Sequence, residues 1–165
     1  MPEIIFDNCV LSNFALSDSL YIIKSLYANR SYITNFVMAE TIKGILTGYR
    51  ELSTIRDSLR EDWLKEIALE TQEEKALFET LSVSLGSGEA SSIAVAKVRG
   101  FVFACDDKTA RKEASLLGVK LTGTIGILIR AVRKMIIEHK KANEILDCMI
   151  KQGFYSPISS IDIDK

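Results

Sequence analysis

A chain of 165 residues, 47% hydrophobic and 26% charged, has the make-up of one folded domain and excludes a disordered chain. Its 21 basic and 22 acidic residues leave a formal net charge of -1, so nucleic-acid contact would need a local basic patch rather than a global field. No apolar run approaches the roughly 20 residues of a membrane span, and MPEIIFDNCVL lacks the basic start of a signal peptide, so a cytoplasmic location is expected.

In chain order, Glu3 to Phe6 reads as a short buried strand that ends on Asp7 and Asn8. From Asn13 to Tyr27 apolar residues recur at helical spacing, which predicts one helix. Ser31 to Thr34 is a second strand, and Asn35 is placed to cap a helix whose inward face takes Val37, Ile42, Ile45 and Leu46. Glu40 falls in its second turn. A third helix covers Ser53 to Arg60, and the pattern of Trp63 to Leu69 suits either a strand or a helix, with a short strand the preferred reading. Thr71 with Glu74 three residues later forms a capping box for the helix through Leu77, Leu81 and Leu85.

The stretch from Gly86 to Arg111 carries most of the information. Gly86 and Gly88 break the preceding pattern, and Glu89 opens a helix rich in small residues that can approach a sheet closely. Phe101 to Cys105 is a continuous apolar run, as in a strand covered on both faces. Asp106 and Asp107 follow at once. Lys108 to Leu117 reads as a helix closed by Gly118, and Val119 to Leu121 as a fifth strand. Thr124 caps a helix from Ile125 to Ile137. Another helix runs from Lys141 to Lys151 and is closed by Gly153, and Pro157 to Ile163 forms an extended end piece or edge strand. Strand and helix alternate without a hairpin signal, so the fold class expected is a single-domain α/β protein, a parallel sheet covered by helices, over residues 1–165 with an extended tail from about 154.

Five acids stand at strand ends or on nearby helix turns: Asp7, Glu40, Glu89, Asp106 and Asp107. Open parallel sheets place their ligands outside the carboxyl ends of the strands, and helices that follow strands begin at that same edge. Each acid alone has a plain structural use, as a cap, a helix-dipole partner or a solvated residue. Together they form a cluster of hard oxygen ligands without histidine, which favours Mg²⁺ or Mn²⁺ and the activation of water against a phosphodiester. Cys9, Cys105 and Cys148 show no paired ligand spacing, and Cys9 and Cys105 are expected as buried, reduced thiols. His139, the single histidine, is expected at the surface.

These residues resemble a known family. IIFDNCVLSNF is similar to the first strand and Asp of PIN domains, and ITNFVMAE to their second strand and Val-x-x-Glu. GSGEASSIAVA and FVFACDDKTARKEASLLGVKLTGTIGIL resemble a bacterial and archaeal PIN subgroup with a Gly-Glu helix start, an Asp-Asp strand end and a Gly-Thr-x-Gly segment. The resemblance covers about the whole chain in the expected order. It implies a three-layer α/β/α domain with strand order 3-2-1-4-5 and a Mg²⁺- or Mn²⁺-dependent ribonuclease, with Asp7, Glu40, Glu89 and Asp106 as catalytic acids and metal ligands. Asp107 is a fifth ligand or the true fourth. Two departures stand out: Asn8 replaces the Ser or Thr common after the first Asp, and Glu89 stands where many members have Asp.

Thr124, Arg111 and Lys108 are the candidate substrate contacts, Thr124 having the plain alternative of a helix cap. Lys97, Arg99, Lys112, Arg130, Arg133 and Lys134 are further basic candidates, and the run from Arg130 to Lys134 reads first as a solvated helix face. RNA is the partner the resemblance implies. Many members are toxins of the VapC type, paired with a small antitoxin, and a homodimer is expected; the apolar positions from Leu11 to Leu26 suit either its face or the core. The alternative function is a PIN-fold module that binds RNA or protein without cleaving. A receiver-like protein is disfavoured, because Leu121-Thr122-Gly123 offers no Lys after the last strand.

Overall fold

The computed structural model describes residues 2–164. Short apolar runs form β1 (Ile4–Phe6), β2 (Ser31–Thr34), β3 (Leu64–Ile67), β4 (Val102–Ala104) and β5 (Leu121–Thr122). They make one parallel sheet in the order β3-β2-β1-β4-β5. Because successive side chains on a strand point to opposite faces, the sheet has two cores. Ile4, Phe6, Ile33 and Ala104 face α1 (Asn8–Leu16), α2 (Leu20–Tyr27), α4 (Ser53–Arg60), α8 (Thr124–Arg133) and α9 (His139–Lys151). Ile5, Phe103 and Cys105 face α5 (Gln72–Leu81), α6 (Ser87–Arg99) and α7 (Lys108–Leu116). The remaining helix, α3 (Asn35–Leu46), follows β2, and its Val37 and Met38 join the first core. This is the expected three-layer α/β/α arrangement. No helix among the described residues is long and apolar enough to cross a membrane.

Several local expectations change. The helix expected from Asn13 to Tyr27 is two helices, because Ser17 and Ser19 turn their hydroxyls onto the carbonyls of Asn13 and Phe14 and Asp18 takes a left-handed φ of 53°. Thr34, not Asn35, caps α3 by accepting from the Val37 amide. The inward face of α3 is Val37, Met38 and Thr41, while Ile42 and Leu46 are exposed. Helix α6 starts at Ser87, which puts Glu89 in its first turn, and β5 begins at Leu121 rather than Val119. Gly123, not Thr124, caps α8, which ends at Arg133; α9 begins at His139.

The tail forms no strand. Ile161 buries its side chain in the first core, its N–H donates to Asn143 Oδ1 at 2.7 Å, and its carbonyl meets His139 Nε2 at 2.5 Å. His139 is exposed as expected, yet it helps to hold the tail. Cys105 is buried but Cys9 is exposed, against expectation, in the first turn of α1 beside the acids of the cleft. Leu11, Phe14, Ile22 and Ile23 are fully buried within the chain, so they serve the core and offer no dimer face.

Helix α6 lies against the middle of the sheet, where small residues such as Ala90, Ser91 and Ala94 allow close approach. Ser91 and Thr34 join hydroxyls at 2.8 Å across that contact. Its far end is pinned by Arg99, which forks onto Glu74 of the α5 capping box at 2.7 and 3.2 Å and also donates to the Ala68 carbonyl. The Glu74 side chain is fully buried. The guanidinium first, then the amides of Glu70 and Thr71, hold its pKa down to about 2 against the cost of burial. A carboxyl with a depressed folded pKa contributes stability above its ordinary value of 4.5 that is lost as pH falls towards 2. Arg99→Met, which leaves Glu74 buried and unpaired, is expected to cost about 3 kcal/mol at pH 7. In urea denaturation that deficit shrinks below pH 4; a cost independent of pH would mean that Arg99 acts through packing alone.

Candidate active site

In a parallel sheet every strand ends at one edge, and the helix after each strand begins there. β1 ends at Asp7, which is 2% exposed and precedes α1 without bonding its amides in the manner of a side-chain cap. One oxygen of Asp7, one of Glu89 and the Cys105 sulfur lie within 4.8 Å of one another. Glu89 reaches this point from the first turn of α6, and Glu40, on the second turn of α3, lies close enough to act electrostatically on both acids. The Glu40 carboxyl lies across Gly88: a methyl group on that glycine would stand 2.6 Å from Oε1 and 2.8 Å from Oε2.

Asp106 follows β4 on the side of α8. Its Oδ1 accepts the Thr124 N–H at 2.9 Å, and its Oδ2 accepts the Thr124 hydroxyl at 2.5 Å and the Asn13 amide at 3.3 Å. The Asn13 amide also reaches Thr124 Oγ1 at 3.1 Å. A carboxylate offers about four lone-pair positions, so this clamp fixes Asp106 and leaves room for one more ligand. Gly123 makes the approach possible, since a methyl there would stand 2.6 Å from Asp106 Oδ1. Its backbone is extended, so glycine is needed for space and not for dihedral freedom.

Asp107, by contrast, is exposed and caps α7 by accepting the Ala110 N–H at 2.9 Å. Thr124 is fully buried, with its hydroxyl committed to Asp106. Arg111 Nη1 donates to the carbonyls of Cys105 at 2.7 Å and Thr122 at 3.0 Å, tying the ends of β4 and β5 together. Lys108 opens α7 as an exposed residue.

The electrostatics record the crowding. Burial first, then Glu89 and Glu40, push Asp7 up from 3.8 to about 7, although the Asn8 and Cys9 amides pull the other way. Burial of its carboxyl raises Glu40 against the pull of the Gly88 amide, even though much of the residue is exposed. Glu89 is raised by burial, then by Asp107 and Glu40. Burial and the nearby Asp7 charge also keep the Cys105 thiol protonated.

The profile of a family described as a PIN domain matches residues 3–162. The chain belongs to the PIN-domain family. PIN domains are in general nucleases, so hydrolysis of nucleic acid is the reaction class to which this site belongs. A comparison with curated proteins gives no match.

The PIN site has a donor set that fits a hard divalent cation: the oxygens of Asp7 and Glu89 converge, Glu40 is coupled to both, and burial and crowding raise the pKa values of all three acids beyond what the nearby amides offset. The protonated Cys105 thiol does not compete for such an ion. Sequence reasoning missed Asn13, Cys105 and the brace in which the Thr41 hydroxyl donates to Asn8 Oδ1 at 2.9 Å. Asn13 lies six residues beyond Asp7, a helical neighbour of the cleft only because α1 starts at Asn8, whereas the apolar period alone puts a start at Asn13.

The Asp7 shift makes a prediction about stability without metal. Because the folded carboxyl keeps its proton longer than the unfolded one, stability falls as pH rises from about 4 to about 7 and is flat above. Asp7→Asn removes that dependence. In chelator it is expected to stabilise the protein by roughly 2–4 kcal/mol at pH 8 and by little at pH 4. Equal gains at both pH values, measured by urea denaturation, would contradict the buried acid.

Proposed function

We propose that the chain is a divalent-metal-dependent endoribonuclease whose Mg²⁺ or Mn²⁺ is held by Asp7, Glu40, Glu89 and Asp106. The observation that carries this reading is the convergence of Asp7 and Glu89 beside Glu40, three carboxylates whose pKa values all rise through burial, with repulsion from neighbouring acids added at Asp7 and Glu89. A bound cation supplies a more acidic water and neutralises charge that develops on the phosphodiester.

The protein's own groups divide the remaining work. Asp7, whose pKa is raised to about 7, would have to be deprotonated to hold a cation, which would couple metal affinity to pH near neutrality. Asn13 and Thr124 hold Asp106 in one rotamer, so its free lone pair points the same way at every turnover. Thr124 therefore acts through Asp106. Lys108, exposed beside the Asp-Asp corner, offers its ammonium to a phosphate, and Arg111 keeps the ends of β4 and β5 in register while its guanidinium adds positive charge. Asp107 is the outlying acid, raising Glu89 from the cap of α7. On this reading the protein is a cytosolic toxin-like ribonuclease that acts as a homodimer and is restrained by a small antitoxin, as the VapC-type resemblance implies.

Cleavage of single-stranded and structured RNA with Mg²⁺, Mn²⁺ or chelator tests the reading. Asp106→Asn is expected to lower activity on the order of a hundredfold or more while the fold survives, and Asp107→Asn much less. Wild-type protein that binds RNA but cleaves none under any divalent metal would instead be a non-catalytic module. Gly88→Ala tests the metal set separately. The added methyl drives the flexible Glu40 carboxyl aside, while alanine in a helix gains up to about 1 kcal/mol over glycine. Thermal stability should hold or rise as Mn²⁺ affinity, measured by calorimetry, falls about tenfold, equivalent to about 1.4 kcal/mol. Unchanged affinity would remove Glu40 from the site.

A further inference from the structure

The basic residues of α8 do not form a plain solvated face. Residues 126, 129, 130 and 133 fall on one side of the helix, and that side borders a groove of about 600 Å³ between α8 and the open edge strand β5. Lys120 just before β5, Arg130 and Arg133 on α8 and Lys134 just beyond it line the groove, and among the described residues no acidic side chain does. In a chain of net charge -1, four cations without a lining acid are a local concentration that composition hides. The floor is apolar, with Ile4, Val102 and Ile129, and beneath it Tyr27 is largely buried, its ring covered by the Arg130 guanidinium 5.7 Å from the centroid.

The groove's position gives it a direction. Helix α8 starts at Thr124, whose amide and hydroxyl clamp Asp106, and two residues later Gly126 already lines the groove. At 1.5 Å per residue, Arg130 and Arg133 lie about 9 and 13 Å down the axis from Thr124. Lys120 precedes Thr122 on β5 and so lies in the same direction, away from the carboxyl edge. The row of cations thus runs from beside the Asp106 clamp towards the opposite edge of the sheet.

We infer that this groove carries the strand of single-stranded RNA that leaves the cleft, its phosphates on Lys120, Arg133 and Lys134 and a base against the apolar floor beside Tyr27. This rests on the nuclease reading for its register, because a cleft lined by carboxylates repels the polyanion it must cut and the strand needs cations beside it. A cationic groove that tracks the backbone, with apolar surface for the bases, suits sequence-tolerant binding of single strands. An acidic peptide would match the charge, but it gives no reason for the groove to begin at the clamp of Asp106.

The test measures binding separately from cleavage. In the Asp106→Asn background, binding of a fluorescent oligouridylate is followed by anisotropy over a salt series. Replacing Lys120, Arg133 and Lys134 together by alanine is expected to weaken binding at least tenfold and to reduce the salt slope by about 2, as loss of three single-strand phosphate contacts demands. A control lacking three other exposed cations, Arg56, Lys75 and Lys140, keeps both affinity and slope. Photo-crosslinking of a 4-thiouridine-substituted strand to the otherwise unchanged protein places Tyr27 or Ile129 in the labelled peptide, a readout that does not depend on how the triple variant folds. Equal loss in the control, labelling confined to other surfaces, or a polyglutamate peptide held more tightly than the RNA each overturns the groove. The nuclease reading fails independently: if groove binding is found but no metal supports cleavage by the wild type, the track stands and the catalyst falls. If cleavage is metal-dependent and the triple variant binds like its parent, the reverse holds.

Discussion

A carboxyl group at the end of β1, 2% exposed and set beside two other acids, is the condition to which the rest of this structure is fitted. Taking such a group out of water without a cation costs free energy, and the structure meets that cost in part by keeping Asp7 protonated up to about pH 7. The parallel sheet supplies a second offset. Helices α1, α3, α6 and α8 each follow the arrangement in which their amino ends face the carboxyl edge, so their partial positive charges point at the acids. The amides of Gly86 and Gly88 act in this way on Glu89 and Glu40.

Close approach of the acids in turn sets what neighbouring residues can be. Gly88 leaves room for the Glu40 carboxyl and Gly123 for that of Asp106, and a methyl group at either place would collide with an oxygen at 2.6 Å. Asn13 and Thr124 then remove the rotational freedom of Asp106 that this space would otherwise allow. The cluster is thus arranged for charge it does not itself neutralise, a state that lowers stability and that binding of a cation to the folded form would reverse.

Stability is secured away from the cleft. Helix α6 carries Glu89 at its amino end and Arg99 at its carboxyl end, and the buried Arg99–Glu74 pair anchors the helix against α5 on the opposite edge of the sheet. The two charged systems differ in sign of effect: Glu74 is held ionised by its partner, whereas Asp7 is held neutral by its surroundings. A substitution of Arg99 therefore alters how stability responds to acid, and a substitution of Asp7 alters how it responds as pH rises towards 7.

The alternation of apolar runs and helical periods was enough to place β1, β2, β4 and the Thr71–Glu74 capping box, because those features depend on local pattern, whereas the edge strands, β3 open to a helical reading and β5 displaced by two residues, carry a weaker signal. The acids at strand ends were legible for the same reason, since in a parallel sheet chain position alone says which edge a residue reaches. The break at Asp18 was not, because serine hydroxyls competing for carbonyls leave the apolar period intact. Nor were the partners of the acids. Asn13 and Thr124 meet Asp106 across 93 and 18 residues, the Cys105 thiol joins Asp7 and Glu89 only where β4 lies beside β1, and Arg130 lies over Tyr27 only where α8 packs against α2. Residue types and their order along the chain determined the fold and the identity of the acids; which neighbours clamp, crowd or pair with each of them was decided by tertiary packing, because contacts of that range depend on how elements dock and not on any period within them.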